Sequence, residues 1–277
     1  MPVITTNVAA NAALRYLNLN SANQSAALAK LASGSNIVQA SDNAAGLAIA
    51  TQLQGNIAAL TQSETNAAQA NSILQMADGG LSTIGNILQR MMALATEAAS
   101  GNVTDTQRSA DIQVEFAQLS TEINNIASGT RYSGMSLLDG TSAFSGGVNF
   151  LVGSSATDTI GVTLGTFTAG TTGLNVTGDL TVIGDASNMI STLSAAMNTL
   201  TKGRASLGAY ESQFNFVAQS LSTNLQNVTA ANSTIMDADV AAQKSALSSA
   251  DVLTQASVAA LSQAAKMPQE LLTLIQS

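Results

Sequence analysis

From Ala186 to Ile235, large apolar or small side chains return at alternating steps of four and three. The series reads Ala186, Ile190, Leu193, Met197, Leu200, Leu207, Phe214, Ala218, Leu221, Leu225, Val228 and Ile235. Arg204, Glu211 and Asn232 interrupt it, so a 3.5-residue repeat runs for about seven heptads and predicts a long helix packed lengthwise on a partner. Near the other end, a helix is predicted over residues 5–32, where Leu14, Leu17, Leu28 and Leu31 keep heptad spacing. Ser21 and Gln24 fill the intervening positions, which makes that seam weak.

Periodicity lapses from Ser33 to Asn43, and Ser41, Asp42 and Asn43 stand before Ala44 as a cluster able to cap a new helix. That helix is predicted from Ala44 to about Ala98, through Leu53, Ile57, Leu60, Ala67 and Leu74. Its seam is expected to shift after Gly79 and Gly80 to Ile84, Ile87, Met91 and Leu94. At 1.5 Å per residue such a helix spans roughly 80 Å. A turn at SGNVTD precedes a short, clean seam of Ile112, Phe116, Leu119, Ile123 and Ile126.

After Gly129 the period becomes alternating, with Val148, Phe150 and Val152, then Ile160, Val162 and Leu164, then Leu180 and Val182 predicting short strands in hairpins. Twelve of the twenty-one glycines fall between Gly129 and Gly184, so the middle differs in kind from its flanks. The last segment, Asp237 to Gln276, returns to a helical period with Leu253, Ala260, Ala264, Met267, Leu271 and Leu274 on one side. Pro2 and Pro268 are the two prolines, which leaves the long helices free of kinks, and Pro268 is expected to interrupt or bend the last one. The predicted fold is mainly α, with long antiparallel helices in coiled-coil packing formed by both chain ends and a small β-hairpin region in the middle. Three parts are expected: residues 1–40 with 236–277 as a terminal coiled coil, residues 41–140 with 186–235 as a helical core, and residues 141–185 as a hairpin surface region.

Composition narrows the function. The chain has no Cys, His or Trp, which removes disulfides, thiolate nucleophiles, imidazole bases and most transition-metal sites. Serine is abundant, but no S-x-x-K stands near it to supply a base, so no catalysis is expected. No cofactor is expected either, because Gly79 and Gly80 lead into no phosphate-binding loop. Asp237 and Asp239, read as two positions apart on a helix, would point different ways and make no metal site. A net charge of −8 disfavours nucleic acid and anionic membranes as partners. The opening MPVITTNVAANAAL carries neither a basic leader nor a long apolar segment, so no cleaved signal or spanning helix is expected.

The two ends carry the functional reading. Paired only with each other, they offer too little large apolar area to offset the entropy of ordering. Both are therefore expected to be mobile in the free monomer and to order against neighbouring copies. Leu14, Leu17, Leu28, Leu31, Leu253, Leu261, Leu271 and Leu274 are the candidate self-assembly residues. Ile112, Phe116, Leu119, Ile123, Leu207, Phe214 and Leu221 are the candidate core seam. Met76, Met91, Met92 and Met197 read as packing residues, and Arg90, Arg108 and Arg131 as surface cations or contacts.

Particular strings resemble bacterial flagellin. SDNAAGLAIA at Ser41–Ala50 is similar to that family's D-D-A-A-G-L-A-I, and LQRMMALATEAASG at Leu88–Gly101 to its L-Q-R-x-x-E-L-A block. GTRYSGMSLLDG at Gly129–Gly140, LGAYESQF at Leu207–Phe214, IMDADVA at Ile235–Ala241 and the closing PQELLTLIQS follow in the family's order. Departures are Ala29, Lys30 and Asn36 where the family has Glu, Arg and Arg, Met92 and Ala93 for a charged pair, Gln213 for Arg, and Ser277 at the end.

The resemblance implies a protomer that polymerises with itself into a flagellar filament for swimming, outside the cell. Terminal helices would line an inner tube, the middle helices an outer tube, and residues 141–185 the solvent side. It implies type III export and contacts with a cap, junction proteins and an export chaperone. It also marks Gln89, Arg90, Leu94 and Glu115 as candidate contacts for an animal Toll-like receptor, and Thr168, Thr171 and Thr172 as candidate O-glycosylation sites. Heptad seams that slip between near-equal packings would switch filament shape. Two alternatives share the coiled ends: a hook-filament junction protein and, from another class, a chemoreceptor-like signalling hairpin.

Overall fold

The computed structural model describes residues 7–276, with side chains described through Met267. Long helices pack antiparallel against each other and two small hairpins lie between them, the architecture the heptad pattern predicts. The chain divides into two compact units, one of Met1–Ile57 with Asn227–Ser277 and one of Ala58–Gln226.

The first unit is built on α1 (Val8–Ser33) and α7 (Val240–Gln276), with the start of α2 (Ala44–Ala98) and the end of α6 (Ile183–Met236). Local chemistry sets each boundary. The Asn7 side chain accepts from the Ala10 amide at 3.0 Å and opens α1. Gly34, at φ +70°, closes it in the left-handed conformation that a Cβ would oppose, with its N–H on the Lys30 carbonyl. The capping cluster acts as its spacing suggests: Asp42 takes the Val38 and Gln39 amides, and Asn43 accepts from the Gly46 amide at 2.8 Å. Ser35 bridges Asp237 backbone to backbone, and the Asn36 amide reaches the Met236 carbonyl at 2.6 Å.

Asp237 and Asp239 do not share a helix, contrary to the sequence reading. They stand in the break between α6 and α7, where Asp239 caps α7 by accepting from the Ala241 and Ala242 amides. Helix α7 continues through Pro268 to Gln276, so the proline does not interrupt it.

The second unit encloses α2 on a wide face. Leu60, Ala67, Leu74, Leu81, Leu88 and Ala95 are buried at steady seven-residue intervals, and Ser63, Ala70, Ala77, Ile84, Met91 and Ala98 form a second such series. The expected register shift at Gly79 and Gly80 is absent. The buried face broadens instead, because α2 has two sets of neighbours. On one side lies α6, buried at Ala186, Leu193, Leu200, Leu207, Phe214 and Leu221. It runs antiparallel to α2, as the Asn71–Asn215 hydrogen bond (2.7 Å) and the Asp78–Arg204 pair require. On the other lie α4 (Gln113–Gly129) and the loop after it, where a Cβ on Gly80 would meet Thr130 and Leu138.

Before α4, a short α3 (Asp105–Gln107) starts at Thr104, which forms a reciprocal capping box with Gln107, and runs into a π-helical turn, Arg108–Ile112. β1 (Arg131–Tyr132) and β2 (Met135–Ser136) form a tight hairpin turned by Ser133 and Gly134, both at positive φ, the geometry that matches strand twist. After a one-turn α5 (Ala143–Gly146), β3 (Val148–Leu151) pairs antiparallel with β4 (Thr159–Val162), Val148 opposite Val162. The hairpin seats on helices. Ser63 Oγ donates to the Gly153 carbonyl at 2.8 Å, and Phe150 meets Phe214 edge-on with ring centroids 5.7 Å apart.

The strand expected at Leu180–Val182 does not form. The Leu180 amide donates to Gln113 Oε1 at 2.7 Å and Gln113 Nε2 donates to the Gly178 carbonyl, so a side-chain amide takes the bonds a neighbouring strand would take. Leu180 is fully buried while Val182 is exposed at the entry to α6.

Candidate assembly surface

Helices α1 and α7 pair antiparallel with an unusual seam. The half-buried or buried positions of α1 include the series Ala10, Ala13, Leu17, Asn20, Gln24, Ala27 and Leu31, with Ala12 and Lys30 beside it, and those of α7 the series Gln243, Leu247, Ala250, Thr254, Ser257, Leu261 and Ala264, with Asp251 beside it. Both follow heptad spacing, yet the occupants are mostly small or polar. Asn7 Nδ2 donates to the Ala264 carbonyl at 2.6 Å, Asn20 Nδ2 to Ser257 Oγ at 2.9 Å, and Gln24 Nε2 to the Asp251 carboxylate. Leu14, Tyr16, Leu19 and Leu28 on α1, and Val252, Leu253, Val258 and Met267 on α7, are all more than two fifths exposed. The apolar surface of this pair therefore points outwards, which is the reverse of an ordinary helical hairpin.

The candidate assembly residues separate on this geometry. Leu14, Leu28 and Leu253 are exposed, whereas Leu17, Leu31 and Leu261 are half-buried within the pair. Leu253, Ala260 and Met267 do not line the seam as the sequence reading had it; a register based on large apolar residues selects the solvent side of α7. Leu271 and Leu274 lie outside the described side chains.

In the second unit Ile112, Phe116, Ile123, Leu207, Phe214 and Leu221 are buried and Leu119 is half-buried. Arg90 and Glu115 form an exposed two-pronged ion pair, Nε to Oε1 at 2.7 Å and Nη2 to Oε2 at 3.0 Å. The guanidinium holds the Glu115 carboxyl below the usual glutamate range. Gln89 is exposed beside them, but Leu94 is only 2% exposed. Leu94 lies on the buried face of α2 and offers no surface to a receptor. Thr171 and Thr172 are exposed in a turn, and Thr168 is half-buried with its carbonyl bound to the Leu174 amide.

Two of the side chains read as surface or packing groups differ from that reading. Arg108 is 2% exposed, donating to the Ala98 carbonyl at 2.7 Å, the Ser100 carbonyl at 3.1 Å and Asp105. It closes the carbonyl end of α2, a role with no mark in the sequence beyond its place after a turn. Met76 is 41% exposed, so it is not a core residue. Arg131 stays at the surface on the Ser128 carbonyl. Among the described residues no three carboxylates gather as a metal site, and no helix is long and apolar enough to cross a membrane.

Residues 4–143 match the model of the bacterial flagellin N-terminal helical region, and residues 190–275 match that of the C-terminal helical region. The chain belongs to the bacterial flagellin family. It is 33% identical to a flagellar filament core protein of Treponema maltophilum over 99% of this chain and 100% of that one. It is 32% identical to a flagellin of Listeria monocytogenes over 99% of each. The crystal structure of Bacillus cereus flagellin matches with a TM-score of 0.51 at 27% identity, covering 61% of this chain and 94% of that one.

Flagellins are structural subunits of the bacterial flagellar filament, which lies outside the cell and serves motility, and they are not enzymes. Family membership favours this filament role over a junction protein or a signalling hairpin. It also carries self-assembly and association with flagellar hook-associated proteins.

Proposed function

We propose that neighbouring protomers meet through the outward apolar faces of α1 and α7. The observation that carries this is the pair itself: leucines at 14, 19, 28 and 253 stand in solvent while Asn20, Gln24 and Ser257 take seam positions among alanines and a few half-buried leucines. Water-exposed leucine and valine on two facing arms have a strong incentive to be covered, and further copies of the same arms offer the matching surface. Leu14, Leu28 and Leu253 make contacts between protomers; Leu17, Leu31 and Leu261 hold each arm pair together.

In this arrangement residues 1–40 with 236–277 form the inner layer of the filament, residues 41–140 with 186–235 the outer helical layer, and residues 141–185 its surface. Export through the flagellar type III route, a filament cap, junction proteins and an export chaperone complete the reading. Gln89, Arg90 and Glu115 are the receptor-facing group, and Thr171 and Thr172 the better-exposed glycan acceptors.

Seeded polymerisation followed by sedimentation tests the central point. Leu14→Asp with Leu28→Asp should leave helicity of the second unit intact and abolish pelletable filament. Normal filament yield from that variant would overturn the proposal.

A further inference from the structure

The orientation of α1 against α7 poses a physical question. Rotating both helices would bury Leu14, Leu28 and Leu253 inside one molecule in place of Leu17, Leu31 and Leu261, yet the pair turns the first three outwards. We propose that Asn20 and Gln24 of α1, with Ser257 and Asp251 of α7, are specificity-determining residues that fix which face of each arm is turned outwards. This rests on the assembly role proposed above.

Four facts support it. Asn20 Nδ2 reaches both Ser257 Oγ (2.9 Å) and the Leu253 carbonyl (3.3 Å), so it fixes rotation as well as axial position on α7. Gln24, one helical turn on, donates to the Asp251 carboxylate, a charge-assisted bond whose loss would leave that half-buried carboxylate without its amide partner. A third latch, Asn7 on the Ala264 carbonyl, sits near the far end of the pair, and the same side chain caps α1. Beyond the Gln24–Asp251 latch the seam closes on alanine, with Ala27 and Ala250 both under a tenth exposed. Alanine packs in almost any orientation, and the half-buried Leu17, Leu31, Leu247 and Leu261 make no directional bond, so orientation falls to the polar layers. Single polar residues at core positions of coiled coils set register in this way.

The backbone bridge at Ser35 and Asp237 pins the base of the pair but leaves rotation of the helices beyond it free. With polar layers holding the seam, rotation is opposed by the loss of side-chain hydrogen bonds in half-buried positions. The leucines then remain available to other protomers.

The absence of native cysteine makes the test clean. In the full chain, Ala27→Cys with Ala250→Cys places one thiol on each side of the seam, seven residues beyond the Asn20–Ser257 layer on both helices. Oxidation should cross-link this pair in the otherwise wild-type chain. Adding Asn20→Ala and Gln24→Ala should lower the cross-link yield roughly tenfold, as expected for losing two side-chain hydrogen-bond layers, and should abolish seeded filament growth. Gln24→Lys in place of Gln24→Ala keeps a donor for Asp251 and should restore both readouts in part. Ser21→Ala with Asn23→Ala removes polar groups outside the seam and should leave the cross-link yield unchanged.

Undiminished cross-linking in the alanine variant overturns the proposal. So does lost cross-linking with normal filaments, because orientation would then be irrelevant to assembly. Failure of the wild-type chain itself to polymerise would instead count against the assembly reading, with the cross-link still reporting on orientation. Far-UV circular dichroism separates both results from loss of helix.

Discussion

Single side chains in this protein do their work at helix ends. Arg108 neutralises the carbonyl end of α2 through Ala98 and Ser100 while nearly excluded from water. Arg108→Ala should lower unfolding stability by about 2–3 kcal/mol, because two carbonyls and the Asp105 carboxylate lose a charged donor. Arg108→Lys should recover only part, since an ammonium cannot span the same carbonyls. Urea denaturation with an unchanged slope would check this. The Arg90–Glu115 pair makes a pH prediction. Its depressed Glu115 carboxyl contributes stability above the ordinary glutamate value that is lost as pH falls through the lower folded one. NMR titration should find Glu115 below the ordinary glutamate value, and Arg90→Ala should return it towards that value. Asn43 was legible as a cap because capping chemistry is local, whereas the burial of Arg108 depends on where the turn at Ser100 delivers the chain.

At the scale of elements, the heptad pattern was a reliable guide wherever large residues fill the seam. Leu193, Leu200, Leu207, Phe214 and Leu221 are buried on α6 at the spacing the sequence predicts. The same logic misplaced Leu253 and Met267 on α7, because its most buried seam positions are Ala250, Ser257 and Ala264 and most of its larger residues, Val240, Val252, Leu253, Val258 and Met267, face outwards. Periodicity identifies the apolar stripe of a helix; it does not say whether the partner is within the chain. The lost strand at Leu180 has a different cause, competition from one glutamine side chain. Glycines on α6 offer a sharp test of element packing. Gly203 makes room for the Phe167 ring, which a Cβ would strike, while Gly208 has open space around it. Gly203→Ala should therefore destabilise the protein by about 1–3 kcal/mol. Gly208→Ala should stabilise the monomer by up to about 1 kcal/mol through helix propensity. Thermal unfolding of the two monomeric variants should move their midpoints in opposite directions.

For the molecule as a whole, the two compact units differ in what holds them. In the unit of Ala58–Gln226, phenylalanines 116, 144, 167 and 214 and a run of fully buried leucines and isoleucines on α2 give a dense core. In the other, the described buried side chains of α1 and α7 are Ala27, Ala250, Ser257 and Ala264, and three side-chain latches tie the pair. Local opening follows burial, so stability should be unequal along the chain. Amide hydrogen exchange on the monomer should show α1 and α7 losing protection while α2 from Leu81 to Leu94 remains slow, with the arms becoming slow only in filaments. The pairing seen in the single chain does not contradict this, since a formed helix pair with little apolar burial opens at small free-energy cost. Equal protection of α1 and the Leu81–Leu94 stretch in the monomer would mean that the polar seam is far stronger than its hydrogen bonds suggest. The outward leucines would then be presented on a rigid scaffold, and polymerisation would proceed by docking preformed arms instead of ordering them.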